Sequence, residues 1–309
     1  MTTTAVEVRG LRKQYGEVTA LDGLDLSITR GEVFGLLGHN GAGKSTTVEI
    51  LQGYRDRDGG DVQVLGSDPA KAGRAWRAKV GIVWQDESTP AELTVRETVE
   101  HFARYYPAPR DPAQVIRLVG LEHKADARTR GLSGGQRRRL DVALGVIGDP
   151  ELLLLDEPTT GFDPAARRQF WELIQQLAEE GTTILLTTHY LEEAETLADR
   201  LAIVNRGKIV AGGSPAELRS RFGNGATVAW TEADGTPRSA ATDTPTRTVA
   251  ELMSRFDGEV PGLTVSRPTL EDVYLRLTEQ RGAREPAGTG HAGRLDAGRN
   301  SQLTEDDAR

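Results

Sequence analysis

Val33-Phe34-Gly35-Leu36-Leu37-Gly38-His39-Asn40-Gly41-Ala42-Gly43-Lys44-Ser45 decides the fold of this 309-residue chain. The first five residues are a short apolar run of the kind that makes a buried strand. The next eight fit G-x-x-x-x-G-K-[ST], and residues 45–52 predict a helix that Gly53 stops. Strand, glycine loop and helix form a phosphate-binding unit. Glycines at 38, 41 and 43 let backbone N–H groups approach a triphosphate without side-chain interference. Lys44 adds a point charge on the β- and γ-phosphates, and Ser45 offers a hydroxyl to Mg2+. His39, Asn40, Ala42 and Thr46 complete the loop.

Moving outward, Leu152-Leu153-Leu154-Leu155-Asp156-Glu157 is a second apolar strand that ends in two carboxylates. Asp156 is placed to hold the same metal, and Glu157 is the best placed general base for a water aimed at the γ-phosphorus. A third apolar run, residues 183–186, is separated from the second by a helix carrying Phe170, Trp171, Ile174 and Leu177. That alternation predicts a parallel sheet with crossover helices. Leu132-Ser133-Gly134-Gly135-Gln136 opens another helix over 136–147. There a hydroxyl, exposed N–H groups and a positive helix end face one direction, which makes a second phosphate-docking surface.

The expected fold is therefore α/β. Alternation at Val6 and Val8, and at Leu24, Leu26 and Ile28, predicts an antiparallel β-subdomain with Gly10, Gly16 and Gly23 at its turns. Thr94 and Glu97 form a capping box inside a helical subdomain inserted over about 86–150. A hairpin over 200–210 turns at Asn205-Arg206-Gly207, and a main domain covers 1–222. A small α+β domain follows over 223–281, with a strand at 226–230 and helices near 249–256 and 270–277. Residues 282–309 carry too few apolar side chains to offset the entropy of ordering, and are expected to be disordered.

No stretch approaches the eighteen consecutive apolar residues of a membrane span, and with no cysteine there are no disulfides or thiolate metal sites. The formal charge of -8 argues against nonspecific nucleic-acid binding. Arg137-Arg138-Arg139 and Arg167-Arg168 are expected to be solvated helix faces without a role.

The glycine loop, Leu132 to Gln136 and the 152–157 strand together resemble the nucleotide-binding subunit of an ATP-binding cassette (ABC) transporter, over residues 5–222. The P-loop NTPase core, the ATP preference and the following roles are what that resemblance implies. His189 is the switch histidine at the γ-phosphate, and Gln85 reaches Mg2+ and water. Tyr15 stacks on adenine, and Asp163 lies on a dimer interface. Ser133, Gly134, Gly135 and Gln136 close on the nucleotide of a second copy, so the active form is a homodimer. A separate transmembrane permease is required, which places the protein on the cytoplasmic face of the membrane. Residues 267–278 resemble the ending of daunorubicin-resistance-type exporter ATPases, which implies export of drug-like or other hydrophobic compounds. A nontransport ABC ATPase acting on ribosomes or DNA is the alternative. A stand-alone kinase or GTPase would leave residues 132–136 unexplained, and the chain has no Asn-Lys-x-Asp guanine motif.

Overall fold

The computed structural model describes residues 4–84, 92–222 and 225–279. Its strands are β1 (Thr4–Tyr15), β2 (Val18–Thr29), β3 (Val33–Leu37), β4 (Gly59–Val64), β5 (Val80–Val83), β6 (Leu152–Asp156), β7 (Thr183–Thr188), β8 (Arg200–Asn205), β9 (Lys208–Gly213), β10 (Ala226–Thr231), β11 (Pro237–Thr242) and β12 (Thr264–Ser266). The α-helices are α1 (Lys44–Leu51), α2 (Arg74–Arg77), α3 (Val95–Ala103), α4 (Pro112–Leu118), α5 (Gly134–Val146), α6 (Pro164–Glu179), α7 (Leu191–Leu197), α8 (Pro215–Phe222), α9 (Pro245–Arg255) and α10 (Leu270–Glu279).

Runs of apolar residues can be buried on both faces only inside a covered sheet, and β3, β6 and β7 are buried throughout. They lie in a six-stranded sheet of order β5-β6-β7-β3-β8-β9. Each neighbouring pair from β5 to β8 is parallel, and β9 closes the edge antiparallel to β8. Because β6, β7 and β3 are neighbours, their C-terminal ends bring Asp156, Thr188 and Leu37 to one rim. That rim is where an open α/β sheet binds its ligand.

A second sheet, β2-β1-β4, forms the antiparallel subdomain. Only Gly16 sits in its turn. Gly10 and Gly23, expected at turns, lie inside the long strands, where the β1–β2 register shifts between Val8 and Leu11 and between Leu11 and Arg12. These are bulges, and they bend the ribbon over the core. Strand β4 escapes the sequence pattern because it opens on Gly59-Gly60.

The inserted helices keep their predicted start, with Thr94 and Glu97 exchanging both capping-box hydrogen bonds. One large core cluster runs continuously from α3, α4 and α5 through β6 and β7 to α6. Helix α5 seats on β5 at a pair of glycines. A Cβ on Gly81 would stand 2.1 Å from the Gly145 carbonyl oxygen. Gly81→Ala is accordingly expected to lower stability by about 1–3 kcal/mol through overpacking, read as a lower urea midpoint with an unchanged slope. A midpoint equal to the parent's would show that α5 can move away freely.

After α8, strands β11-β10-β12 form a third sheet, against which α9 packs. Helix α10 turns back instead. Its Leu270 and Val273 are fully buried with Leu37, Ala194, Leu201 and Ile203, beneath the phosphate loop.

Candidate functional site

The glycine loop joins β3 to α1, and its conformation requires glycine at one position above all. Gly43 has φ 108°, and a Cβ there would lie 2.7 Å from the Ala20 carbonyl oxygen. Ala42 donates its N–H to the His39 carbonyl (3.1 Å), and Gly207, in the β8–β9 turn, donates to the Ala42 carbonyl (3.0 Å). The His39 imidazole meets the Asn40 carbonyl at 2.7 Å and the Asn205 side-chain oxygen at 3.3 Å. A cavity of about 440 Å³ opens above the loop. It is lined by Val18 to Ala20 of the β-subdomain, by Asn40, Gly41, Gly43, Lys44, Ser45 and Thr46, and by Glu157.

Lys44 is 4% exposed and donates to the carbonyls of Gly38 (2.8 Å) and His39 (3.3 Å). Its ammonium is also 3.1 Å from Glu157 Oε1. Burial works to raise the Glu157 pKa, but the Lys44 ammonium, with His189 beside it, outweighs burial and holds the carboxyl below its usual value. His189 Nδ1 stands 3.3 Å from Glu157 Oε2, and its ring packs on Tyr190. Glu157 has φ 44°, a left-handed conformation that an L side chain adopts only under constraint from its surroundings. One constraint is Thr187 on the neighbouring strand, whose hydroxyl accepts the Glu157 N–H at 3.0 Å and donates to Asp156 Oδ1. Asp156 itself is 4% exposed.

The remaining expected residues are spread over other surfaces. Tyr15 closes the β1–β2 hairpin, 39% exposed, with the Lys13 ammonium and Arg55 guanidinium 5.6 and 5.1 Å from its ring centre. It is absent from the cavity lining, although Val18, its partner across the turn, is present. Ser133 caps α5 in a capping box with Gln136, and Gly134 has open space around it. None of residues 133–136 lines the cavity. Asp163 caps α6, its Oδ1 accepting from Ala165 and Ala166 N–H at 2.9 Å. Gln85 falls outside the described residues.

Three participants are not apparent from the sequence. Thr187 is one. The second is Glu193, 0% exposed, whose Oε1 accepts from the Thr159 hydroxyl (2.9 Å) and the Trp171 indole N–H (3.3 Å). Burial raises its pKa, against the hydroxyls of Thr188 and Thr159. It therefore ties the loop after Glu157 to the helix after His189. The third is Arg138, 8% exposed, which contradicts the expectation of a solvated arginine face. The neighbouring Arg137 and Arg139 are half-buried, and Arg167 lies over the Tyr190 ring, 4.6 Å from its centre. A run of arginines on a helix does not disclose which of them meets buried carbonyls.

The family model described as ABC transporter matches residues 21–160. Nod factor export ATP-binding protein I of Ralstonia nicotianae is 43% identical over 304 residues, spanning 89% of this chain and 94% of that protein. The chain belongs to the ATP-binding proteins of ABC transporters. The Daunorubicin/doxorubicin resistance ATP-binding protein DrrA of Streptomyces peucetius is 37% identical, over 89% of this chain and 93% of its own length. Among solved structures, cbiO1 from Clostridium perfringens, part of the ABC transporter complex cbiONQ, superposes with a TM-score of 0.65 at 28% identity. The match covers 71% of this chain and 92% of that one. This ABC ATPase thus binds and hydrolyses ATP to power a transporter. Among the described residues no helix is long and apolar enough to cross a membrane.

Proposed function

We propose that two copies of this ABC ATPase close head to tail over two ATP molecules, and so drive a separate membrane permease as an exporter of drug-like or other hydrophobic compounds. The observation that carries this reading is the division of the site. One cavity holds Lys44, Ser45 and Glu157, while the open N-terminus of α5, with Ser133, Gly134, Gly135 and Gln136, stands outside it. A helix N-terminus that is capped by Ser133 and opens at Gly134 suits the triphosphate of a second molecule.

Gly38 to Thr46 and Lys44 bind the phosphates, and Tyr15 meets the adenine at the mouth. Glu157 takes the proton of the attacking water, and His189 holds that water and the γ-phosphate in line. Asp163 lies on the interface between copies. Among the described residues no cluster of three acidic or histidine side chains could cage a metal. The donors present, a hydroxyl and one strand-end carboxylate, suit Mg2+, which keeps waters and relies on substrate phosphates. Ser45, Asp156 and Gln85 would hold it. When bound, Mg2+ neutralises charge on the β- and γ-oxygens. Chelation with EDTA is expected to lower ATP turnover at least about 100-fold, restored by excess Mg2+; turnover that persists would remove Ser45 and Asp156 from this role.

A groove of about 410 Å³ between the sheet and the inserted helices is lined by Gln52, Trp76, Trp84, Phe102, Tyr106 and Leu144, among others. Both side-chain amide atoms of Gln52 are buried there, without a partner among the described residues. Its aromatic walls suit a cytoplasmic helix of the permease, which would hold the protein at the cytoplasmic face of the membrane. Export is supported by the functions that the relatives' names give. On this reading residues 1–222 are the cassette, 223–281 a C-terminal domain and 282–309 a tail. Tagged protein purified from detergent-solubilised membranes should bring down a polytopic membrane protein; ribosomes or DNA in its place would favour the nontransport alternative.

A further inference from the structure

Arg138 lies one turn into α5, five residues after Ser133, and its guanidinium donates to carbonyls from two other segments. Nε reaches the Pro158 carbonyl at 3.1 Å, Nη2 the Asp156 carbonyl at 2.8 Å, and Nη1 the Trp84 carbonyl. Asp156 and Pro158 stand on either side of Glu157. Trp84 is the residue before Gln85. The fork of an arginine spans such a set of acceptors, whereas an ammonium is a single point of charge.

The backbone between the two gripped carbonyls is the strained one, since Glu157 has φ 44°. A residue in that region stays there only where neighbouring contacts outweigh the strain. Thr187 supplies one contact, to the Glu157 N–H. Arg138 supplies those on both sides. Its neighbours diverge, Arg137 toward the Leu132 carbonyl and Arg139 toward the Val119 carbonyl and Gln169. Among the contacts of the described residues, it is the middle arginine that reaches the carbonyls beside Glu157.

We propose that Arg138 is a positioning residue that joins the α5 N-terminus to the strand ends around Glu157 as one rigid body. The face a copy offers to its partner's nucleotide then moves with the base it aims at its own. This rests on the composite-site reading above, and it adds a route by which closure over one ATP is felt at the other. The same guanidinium carries movement at Trp84, beside the proposed permease groove, to both places.

The test compares Arg138→Lys and Arg138→Gln with the parent in ATP turnover. Both variants are expected to lose about 10- to 100-fold in kcat, because a base displaced by a fraction of an ångström is mis-aimed. KM for ATP should stay within about 3-fold, since Lys44 and the glycine loop are untouched. Failure of lysine to rescue separates the fork's geometry from its charge. In a Glu157→Gln background, either change should raise the ATP concentration needed for half-dimerisation by about 10-fold. If both variants fold and turn over within about 3-fold of the parent, the proposal is overturned. It is equally overturned if neither accumulates as folded protein, since Arg138 would then be a stability element alone. Ser133→Arg alone, measured in parallel, distinguishes this failure from that of the composite-site reading, which falls if that variant turns over at the parental rate.

Discussion

Glu157→Gln is expected to lower ATP turnover by about three orders of magnitude, within the range by which a positioned general base accelerates proton transfer. The amide has nearly the shape of the carboxylate but cannot take a proton from water. Nucleotide binding should persist or tighten, because the substitution removes the carboxylate that stands 3.1 Å from the Lys44 ammonium. Lys44 is then free to serve the triphosphate. Binding without hydrolysis should trap the closed pair, so size-exclusion chromatography with Mg-ATP should show a dimer that the parent does not retain. A variant that turns over at the parental rate would take Glu157 out of the base role.

Ser133→Arg is expected to reduce turnover at least about 100-fold, the scale seen when a donor to developing negative charge is lost. Binding of a fluorescent ATP analogue to the monomer should be unchanged, because Ser133 is exposed and lies outside the cavity that holds Lys44. Loss of its helix cap would remove about 1 kcal/mol of stability, too little to unfold the domain. A mixture separates a shared site from a private one. Lys44→Ala has a defective phosphate loop and an intact α5 N-terminus, and Ser133→Arg the reverse. A heterodimer of the two carries one complete site. Equal amounts should recover up to about a quarter of parental activity, since half the dimers are mixed and each has one working site of two. Full turnover by Ser133→Arg itself would sink the composite arrangement.

How far the site could be read in advance depends on how local each signal is. Gly38 to Ser45 and the Thr94 and Ser133 capping boxes are complete within a few residues. Asp156 and Glu157 announce themselves as charges ending an apolar strand. Arg138 and Glu193 carry no such mark. Each sits in a charged run, Arg137-Arg138-Arg139 or Glu192-Glu193, and is buried only because acceptors or donors come to it from positions 18 to 54 and 22 to 34 residues away. Strands β11 and β12 were hidden in polar sequence because their side chains are largely exposed. Gly10 and Gly23 looked like turns because a bulge uses the same left-handed glycine.

From residue order alone came the strand, glycine loop and helix, the acidic strand end and the second capped helix, because hydrogen-bond caps and apolar runs are settled over one turn or one strand. Only the packed chain decided that β6 lies beside β7, that Lys44 meets Glu157, and that Arg138 grips the backbone on both sides of that glutamate. Those contacts join segments far apart in the chain, and their partners are set by which carbonyls and carboxylates the core leaves at its rim.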